Sequence, residues 1–431
     1  MRAASTFIRS RFGVRRRGAI LQASSPGIAR AVRKSPSIIA APGVLAGILC
    51  SITFLGCATN PRCPPVAPPA AHVLRYERID WAELHGWGTD TVKEAWPAFL
   101  GSCRDLRFRP GWSEVCTAAQ GVAADAAAIR GYFQQYFEAY RLREGTASEM
   151  STGLVTGYYE PLLRGARTPS AEFNTAVYAP PSDLLAVDLS ALYPELKGRT
   201  VRGRLADGNR VVPYYTRAEL PADPALRGRE LLWVDSPLDA FTLEIQGSGR
   251  VQLQGGDTIR LQYADQNGQP YRSIGRYLVE QGFLTVEQAT MPGIRAWLAA
   301  NPERMQEVLD ANPSVVFFKE LPLGNPDDGP KGAEGVALTP GRSIAVDTAY
   351  IPLGAPVFLA STFPATDTPL ERLVIAQDTG GAIRGAQRAD FFWGTGDKAR
   401  EMAGKMRQRG ELWLLWPRGL QLPQLRSSDP R

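Results

Sequence analysis

Three aspartates in the last third of the chain stand where chemistry is easiest to read. Asp347 closes the run Ile344-Ala345-Val346, Asp378 closes Val374-Ile375-Ala376-Gln377, and Asp390 sits between Gln387-Arg388-Ala389 and Phe391-Phe392. Carboxyls at the ends of apolar strands lose water, and desolvation disfavours their charged form, which suits a general acid working near neutrality. Any one of them could be only a turn or helix cap. Three in similar settings point to a site. Histidine is scarce by contrast, with 2 in the chain, His72 in a proline-rich stretch and His85. No multi-histidine metal centre can be built from them, and a Ser-His-Asp triad would rest on His85 without a Gly-x-Ser-x-Gly elbow. Asp378-Thr379-Gly380 is the aspartic-protease triplet, but that chemistry needs a second equivalent aspartate, and the nearest, Asp347-Thr348-Ala349, lacks the glycine. Gly247-Ser248-Gly249 lacks the third glycine and the context of a dinucleotide fingerprint.

The elements that must position these residues alternate in texture. Helical periodicity predicts helices over 91–101 and 118–142, the second carrying Ile129, Phe133, Tyr136, Phe137 and Tyr140 as a core stripe. From 152 to 271 the chain turns to short extended runs broken by Gly, Pro and Asp, at 154–159, 211–215, 231–234 and 241–245. Helical spacing returns at 273–281 and 291–309, and 314–417 is again strand-like, with a helix over 396–407 before a last strand at 411–416. This predicts a mainly β, α+β fold in which one β module is set between helices and a second β module.

At 431 residues, 44% hydrophobic and 21% charged, the chain has apolar material for two packed domains and is neither a disordered chain, a fibre nor a polytopic membrane protein. Nine of its 49 basic residues precede Cys57, where no acid occurs, so the net charge of +6 belongs to a leader and the body carries no footprint for nucleic acid. The leader ends in an apolar run over 38–55, broken by Pro42, Ser51 and Thr53, followed by Gly56-Cys57, the order of a secretory signal, a transmembrane anchor being the other reading although the run is short and interrupted for one. A small residue before a cysteine resembles the lipobox of bacterial lipoproteins. That resemblance implies a lipid on Cys57, and with Ala58 rather than aspartate next, it implies the periplasmic face of the outer membrane. Residues 60–69 read as a stiff polyproline-type spacer. In an oxidising compartment Cys103 and Cys116, flanking Arg109-Pro110-Gly111-Trp112, are spaced for a loop-closing disulfide, two buried thiols being the other reading.

The segments Thr156-Gly157-Tyr158-Tyr159-Glu160-Pro161, Asp239-Ala240-Phe241, Gln246-Gly247-Ser248-Gly249, Tyr271-Arg272-Ser273-Ile274-Gly275, the run 312–319 and Asp378-Thr379-Gly380-Gly381-Ala382-Ile383 together resemble the membrane-bound lytic murein transglycosylase A family. The resemblance implies a double-psi β-barrel with a second β-barrel domain inserted into it and a groove between them. On this chain that gives a leader at 1–56, a lipidated cysteine and tether at 57–74, the double-psi barrel with helices at 75–160 and 277–417, a three-aspartate module at about 312–417, an insertion at 161–276 and a tail at 418–431. It also implies cleavage of the β-1,4 bond between N-acetylmuramic acid and N-acetylglucosamine in peptidoglycan, closing a 1,6-anhydro ring without water. Asp390 would be the catalytic acid and base, Asp378 its partner, and Asp347 a structural member of the trio. Thr156, Tyr158, Tyr159, Glu160, Gln246, Ser248 and Arg272 are the expected glycan contacts. This chemistry calls for no cofactor and no metal, and its partners are glycan strands and, through the lipid, the outer membrane. Two other readings stay open: a lysozyme-type hydrolase acting on the same polymer, and a wall-binding lipoprotein without activity.

Overall fold

The computed structural model describes residues 73–145, 153–193 and 201–425. Cys50, Cys57, Cys63 and His72, with the expected leader and most of the tether, lie outside them. Strand β1 (Val73–Ile79) pairs antiparallel with β2 (Phe137–Gly145), and α1 (Trp96–Leu106), α2 (Ser113–Ala119) and α3 (Ala126–Tyr136) lie between them in sequence. Asp125 starts α3 by accepting the amides of Ala127 and Ala128. A single helix over 118–142 is therefore corrected to two helices and a strand. At Phe137 the backbone turns extended, and from there Phe137 and Ala139 are buried while Glu138 and Tyr140 are half-buried, the alternation of a strand that pairs with β1. Cys103 and Cys116 form a disulfide that ties α1 to α2.

β3 (Gly153–Glu160) leads out of this module into β4 (Leu162–Ala166), β5 (Thr175–Tyr178), β6 (Leu185–Val187), β7 (Val201–Ala206), β8 (Arg210–Pro213) and β9 (Glu230–Val234). Next come α4 (Pro237–Gln246), β10 (Ser248–Leu253), β11 (Thr258–Gln266), α5 (Ile274–Glu280), α6 (Met291–Ala300), α7 (Met305–Asp310) and β12 (Val316–Pro322). The run 241–245 is thus helical rather than extended. Ser236 caps the helix through the amide of Asp239, Pro237 opens it, and Gly247, at φ 75°, closes it in the left-handed conformation.

Among the described residues β12-β11-β10-β4-β9-β5 form a six-stranded sheet and β6-β7-β8 a small separate one. The insertion therefore reaches β12, beyond the expected boundary at Arg276, because β12 pairs along β11 from Val316 to Pro322. The helices α5 to α7 belong with it as well, since Ile274, Leu278, Ile294, Leu298 and Val308 share one apolar cluster with Leu238 and Phe241 of α4. The expected closed second barrel is instead a sheet whose edge strands, β5 and β12, approach each other without a hydrogen-bonded ladder. Ala240 and Leu243 of α4 pack into its core beside Val177 of β5 and Phe318 of β12.

The chain then returns through β13 (Ser343–Val346), β14 (Pro356–Thr362), β15 (Pro369–Asp378), β16 (Arg388–Thr395), α8 (Gly396–Lys405) and β17 (Arg407–Pro417). The expected helix over 396–407 stops at Lys405, and Arg407 already belongs to the last strand. The order β17-β14-β15-β13-β16-β3, with β3 also paired to β17, closes a ring of six strands in which β13–β15 and β3–β16 run parallel. Its core is continuous with that of the helices: Phe99, Phe133 and Phe137 are buried together with Val357, Phe358, Leu373, Val374 and Leu414. Arg342, 1% exposed, fastens the helical layer to the ring by donating to Asp90, Glu94 and the Thr91 carbonyl. The fold is mixed α and β, mainly sheet.

Candidate active site

The ring brings two of the three aspartates to one place. Ala345 of β13 is in register with Asp378 on one side and Asp390 on the other. Paired residues on neighbouring strands project to the same face, so the two carboxyls flank a single methyl group, two strand spacings apart at about 10 Å between backbones. On the other flank of Asp390, β3 runs parallel and places Thr156 opposite it.

Each carboxyl has a distinct set of donors. Thr156 Oγ1 donates to Asp390 Oδ1 at 2.6 Å. Arg388, on the same face of β16 because it lies two residues before Asp390, donates Nη2 to that same hydroxyl at 2.8 Å. The hydroxyl has one proton and gives it to Asp390, so Oδ1 is held as an acceptor and a proton on the acid resides on Oδ2. Burial pushes Asp390 up to about 6, against the hydrogen bond from Thr156 and the charge of Arg388, with the nearby Asp378 charge adding to the rise. Asp378 is also raised by burial, but three donors oppose it: the amides of Ala333 and Thr379, each 2.9 Å from Oδ1, and the Tyr158 hydroxyl 3.0 Å from Oδ2. The two carboxyls thus differ in their donors: three favour the charged form of Asp378 against the rise from burial, and one hydroxyl favours that of Asp390, which can release a proton near neutrality.

Asp347 spends both oxygens on backbone. Oδ1 accepts from Ala349 at 3.1 Å and Oδ2 from Gly385 at 2.9 Å, and the second bond pins the loop that connects Asp378 to Asp390.

The expected glycan contacts fare differently. Thr156 is committed to Asp390 and Arg388. Both tyrosines are buried, at 8% and 9% exposure, and neither offers an open face to a sugar: Tyr158 packs on Phe392 with ring centroids 5.1 Å apart, and Tyr159 packs against Ala399 and Ala403. Glu160, expected at the rim of a groove, is fully buried and accepts from Nε of Arg250 at 2.8 Å and of Arg260 at 2.6 Å, binding β3 to β10 and β11. Gln246 uses its carbonyl oxygen to accept the Tyr159 amide at 3.0 Å, and Ser248 is buried at the start of β10. Arg272 pairs with Glu280 on the surface at 2.8 Å rather than with either site aspartate.

Three contributors escaped the sequence reading. Arg388 was legible through its two-residue spacing from Asp390. The Ala333 amide and its neighbour Glu334 sit in a glycine-flanked turn 45 residues before Asp378, and nothing local marks them.

Comparison with known proteins gives a consistent picture. Residues 154–319 match the family described as the MltA specific insert domain, and residues 342–416 match the 3D domain. A membrane-bound lytic murein transglycosylase A from Vibrio cholerae is 31% identical over 280 residues, covering 63% of this chain and 67% of its own length. A crystal structure of MltA from Neisseria gonorrhoeae superposes with a TM-score of 0.70 at 36% identity, covering 83% of this chain and 97% of that one. A crystal structure of Escherichia coli MltA with bound chitohexaose superposes with a TM-score of 0.58 at 26% identity, covering 81% and 95%. The matched insert domain ends within β12, in agreement with the sheet pairing.

Proposed function

The chain belongs to the membrane-bound lytic murein transglycosylase A family, and from that membership we propose that it is a peptidoglycan lytic transglycosylase that cuts between N-acetylmuramic acid and N-acetylglucosamine and leaves a 1,6-anhydro end. The observation that carries the proposal is the pair of unlike carboxyls flanking Ala345. One has three donors that favour its charged form, and the other is raised to about 6 with an oxygen free for a proton.

In this reading the protonated Asp390 gives its Oδ2 proton to the glycosidic oxygen as the bond to C1 breaks. Positive charge grows on the sugar ring, and the Asp378 carboxylate stabilises it across the site. Asp390, now ionised, takes the proton of the C6 hydroxyl, whose oxygen closes onto C1. One carboxyl serves both steps, and no second base is needed to activate water, which separates this chemistry from ordinary glycoside hydrolysis. Thr156 and Arg388 steady the carboxylate between the two transfers.

The bound chitohexaose of the Escherichia coli relative supports a β-1,4-linked glycan strand as the ligand. We read the closed six-stranded ring, with its two parallel pairs, as the double-psi barrel the family implies, and place the strand of glycan between it and the insertion. We also keep the lipid on Cys57 and the periplasmic face of the outer membrane, with a role in wall turnover. The test is mass spectrometry of soluble products released from purified peptidoglycan, with D390N alongside. Muropeptides with anhydro ends, absent for the variant, support the proposal. Reducing ends would transfer the protein to the hydrolases, and binding without release would make it a wall-binding module.

A further inference from the structure

Ala333, whose amide is one of the three donors to Asp378, lies in a turn closed by a bridge between Lys331 and Ala337 and by bonds from Gly332 N to the Val336 carbonyl and from Gly335 N to the Gly332 carbonyl. Lys331, Ala333, Gly335 and Ala337 are exposed. One side chain of this turn reaches inward: Glu334 Oε2 accepts the hydroxyl of Ser102 on α1 at 2.7 Å. Ser102 is fully buried and accepts Nε2 of Gln377 at 2.9 Å, that amide also donates to the Ala98 carbonyl, and Gln377 Oε1 accepts from Ser343 at 2.6 Å. The four side chains Glu334, Ser102, Gln377 and Ser343 form a buried polar string that joins the turn to α1, β15 and β13. Gln377 immediately precedes Asp378, and its carbonyl accepts the Glu334 amide at 3.0 Å. Successive amides of one turn therefore clamp the two last residues of β15.

From this we propose that Glu334 is a positioning residue: its bond to Ser102 holds the turn so that the Ala333 amide stays on Asp378. The proposal rests on the reading of Asp378 as the anion that stabilises the developing positive charge. Several observations support it. Burial pushes the Glu334 carboxyl up to about 7, with Arg109 lowering it and Asp105 raising it, so the protein carries an uncomfortable group here. Its second oxygen, Oε1, is buried without a partner, and a buried acceptor left so is costly. Space has been made for that oxygen. A Cβ at Gly354 would lie 2.5 Å from it and 2.8 Å from Leu106, and Gly354, at φ 88°, is itself in a conformation that favours glycine. Packing alone would be served by an apolar side chain.

The consequence falls on Asp378. A hydrogen bond to the charged form of an acid lowers its pKa, so release of the Ala333 amide raises it. Asp378 must be ionised to act, so the acidic limb of the pH dependence of kcat moves to higher pH. The experiment is this profile for the whole chain acting on purified peptidoglycan, with E334A, S102A, E334Q and D378N, and a thermal melt for each. E334A and S102A should move the acidic limb up by about one pH unit with KM unchanged and lose about tenfold in kcat below that limb. E334Q keeps an oxygen for Ser102 and should restore the wild-type limb. An acidic limb that stays in place in both E334A and S102A, whether or not the melting temperature falls, overturns the positioning role while D378N remains inactive. A fully active D378N would instead overturn the reading of Asp378 and the positioning role with it.

Discussion

A carboxyl raised by burial destabilises the fold that raises it, and Asp390 makes this measurable. Its pKa stands at about 6 against an ordinary 3.8, a shift of about two units, and each unit is worth about 1.4 kcal/mol. Below pH 3.8 the group is protonated in both folded and unfolded chains and costs nothing. As pH rises past that value the unfolded chain ionises first, and stability is lost until the folded group has titrated near pH 6. Above that the penalty is constant at about 3 kcal/mol, an upper figure because Asp390 is half-buried rather than sealed. Asparagine has the shape of the neutral acid: its oxygen can accept from Thr156, and it never ionises. D390N should therefore melt with wild type at pH 4 and above it at pH 8, by about 5 °C for a body of this size. Scanning calorimetry or near-ultraviolet circular dichroism at the two pH values reads the difference. Equal melting at pH 8, or a variant that melts lower at both, would refute the claim that the site stores this penalty.

Other consequences follow from the same contacts. T156V removes a bond to the charged form of Asp390, so its pKa should rise by about one unit and the falling, alkaline limb of kcat/KM should move up with it; a limb that stays put or moves down contradicts the assignment of that limb to Asp390. Glu160→Gln strands Arg250 and Arg260 at the junction of β3 with the insertion and should cost about 3 kcal/mol or more in urea unfolding, whereas a loss under about 1 kcal/mol would mean that the ion pairs contribute little. Replacing Cys103 and Cys116 together with serine reopens a loop of 13 residues' separation and should lower stability by about 3 kcal/mol with the catalytic profile unchanged; an unchanged urea midpoint would refute it.

The parts of the site carried by local pattern were visible in the sequence. Asp378 stands out because an apolar run leads into it, Asp390 because two phenylalanines follow it, and the cysteine pair because the spacing suits a closed loop. What depends on distant pairing was not. Thr156 meets Asp390 through parallel strands more than 200 residues apart, and Tyr158 and Glu160, which look like groove residues in a strand, are claimed by Asp378 and by two arginines from the insertion. Residues 241–245 read as a strand by composition, but Ser236, Pro237 and Gly247 are start and stop signals of a helix and were the better guide. The helix expected through Leu142 failed because Phe133 and Phe137 satisfy a helical spacing while Phe137 and Ala139 begin an alternating one, and pairing with β1 decides between them. Nothing in the sequence of β12 names β11 as its neighbour, so its place in the insertion is visible only in the strand pairing.

The most direct test of bond cleavage without water is digestion of purified peptidoglycan in heavy-oxygen water, followed by mass spectrometry of the new glycan ends. Ring closure by the C6 hydroxyl puts no solvent oxygen into the product, so ends free of heavy oxygen are expected at every cut. One heavy oxygen per new end would show that water attacks the sugar, and would contradict the role of Asp390 as both acid and base in a single intramolecular closure.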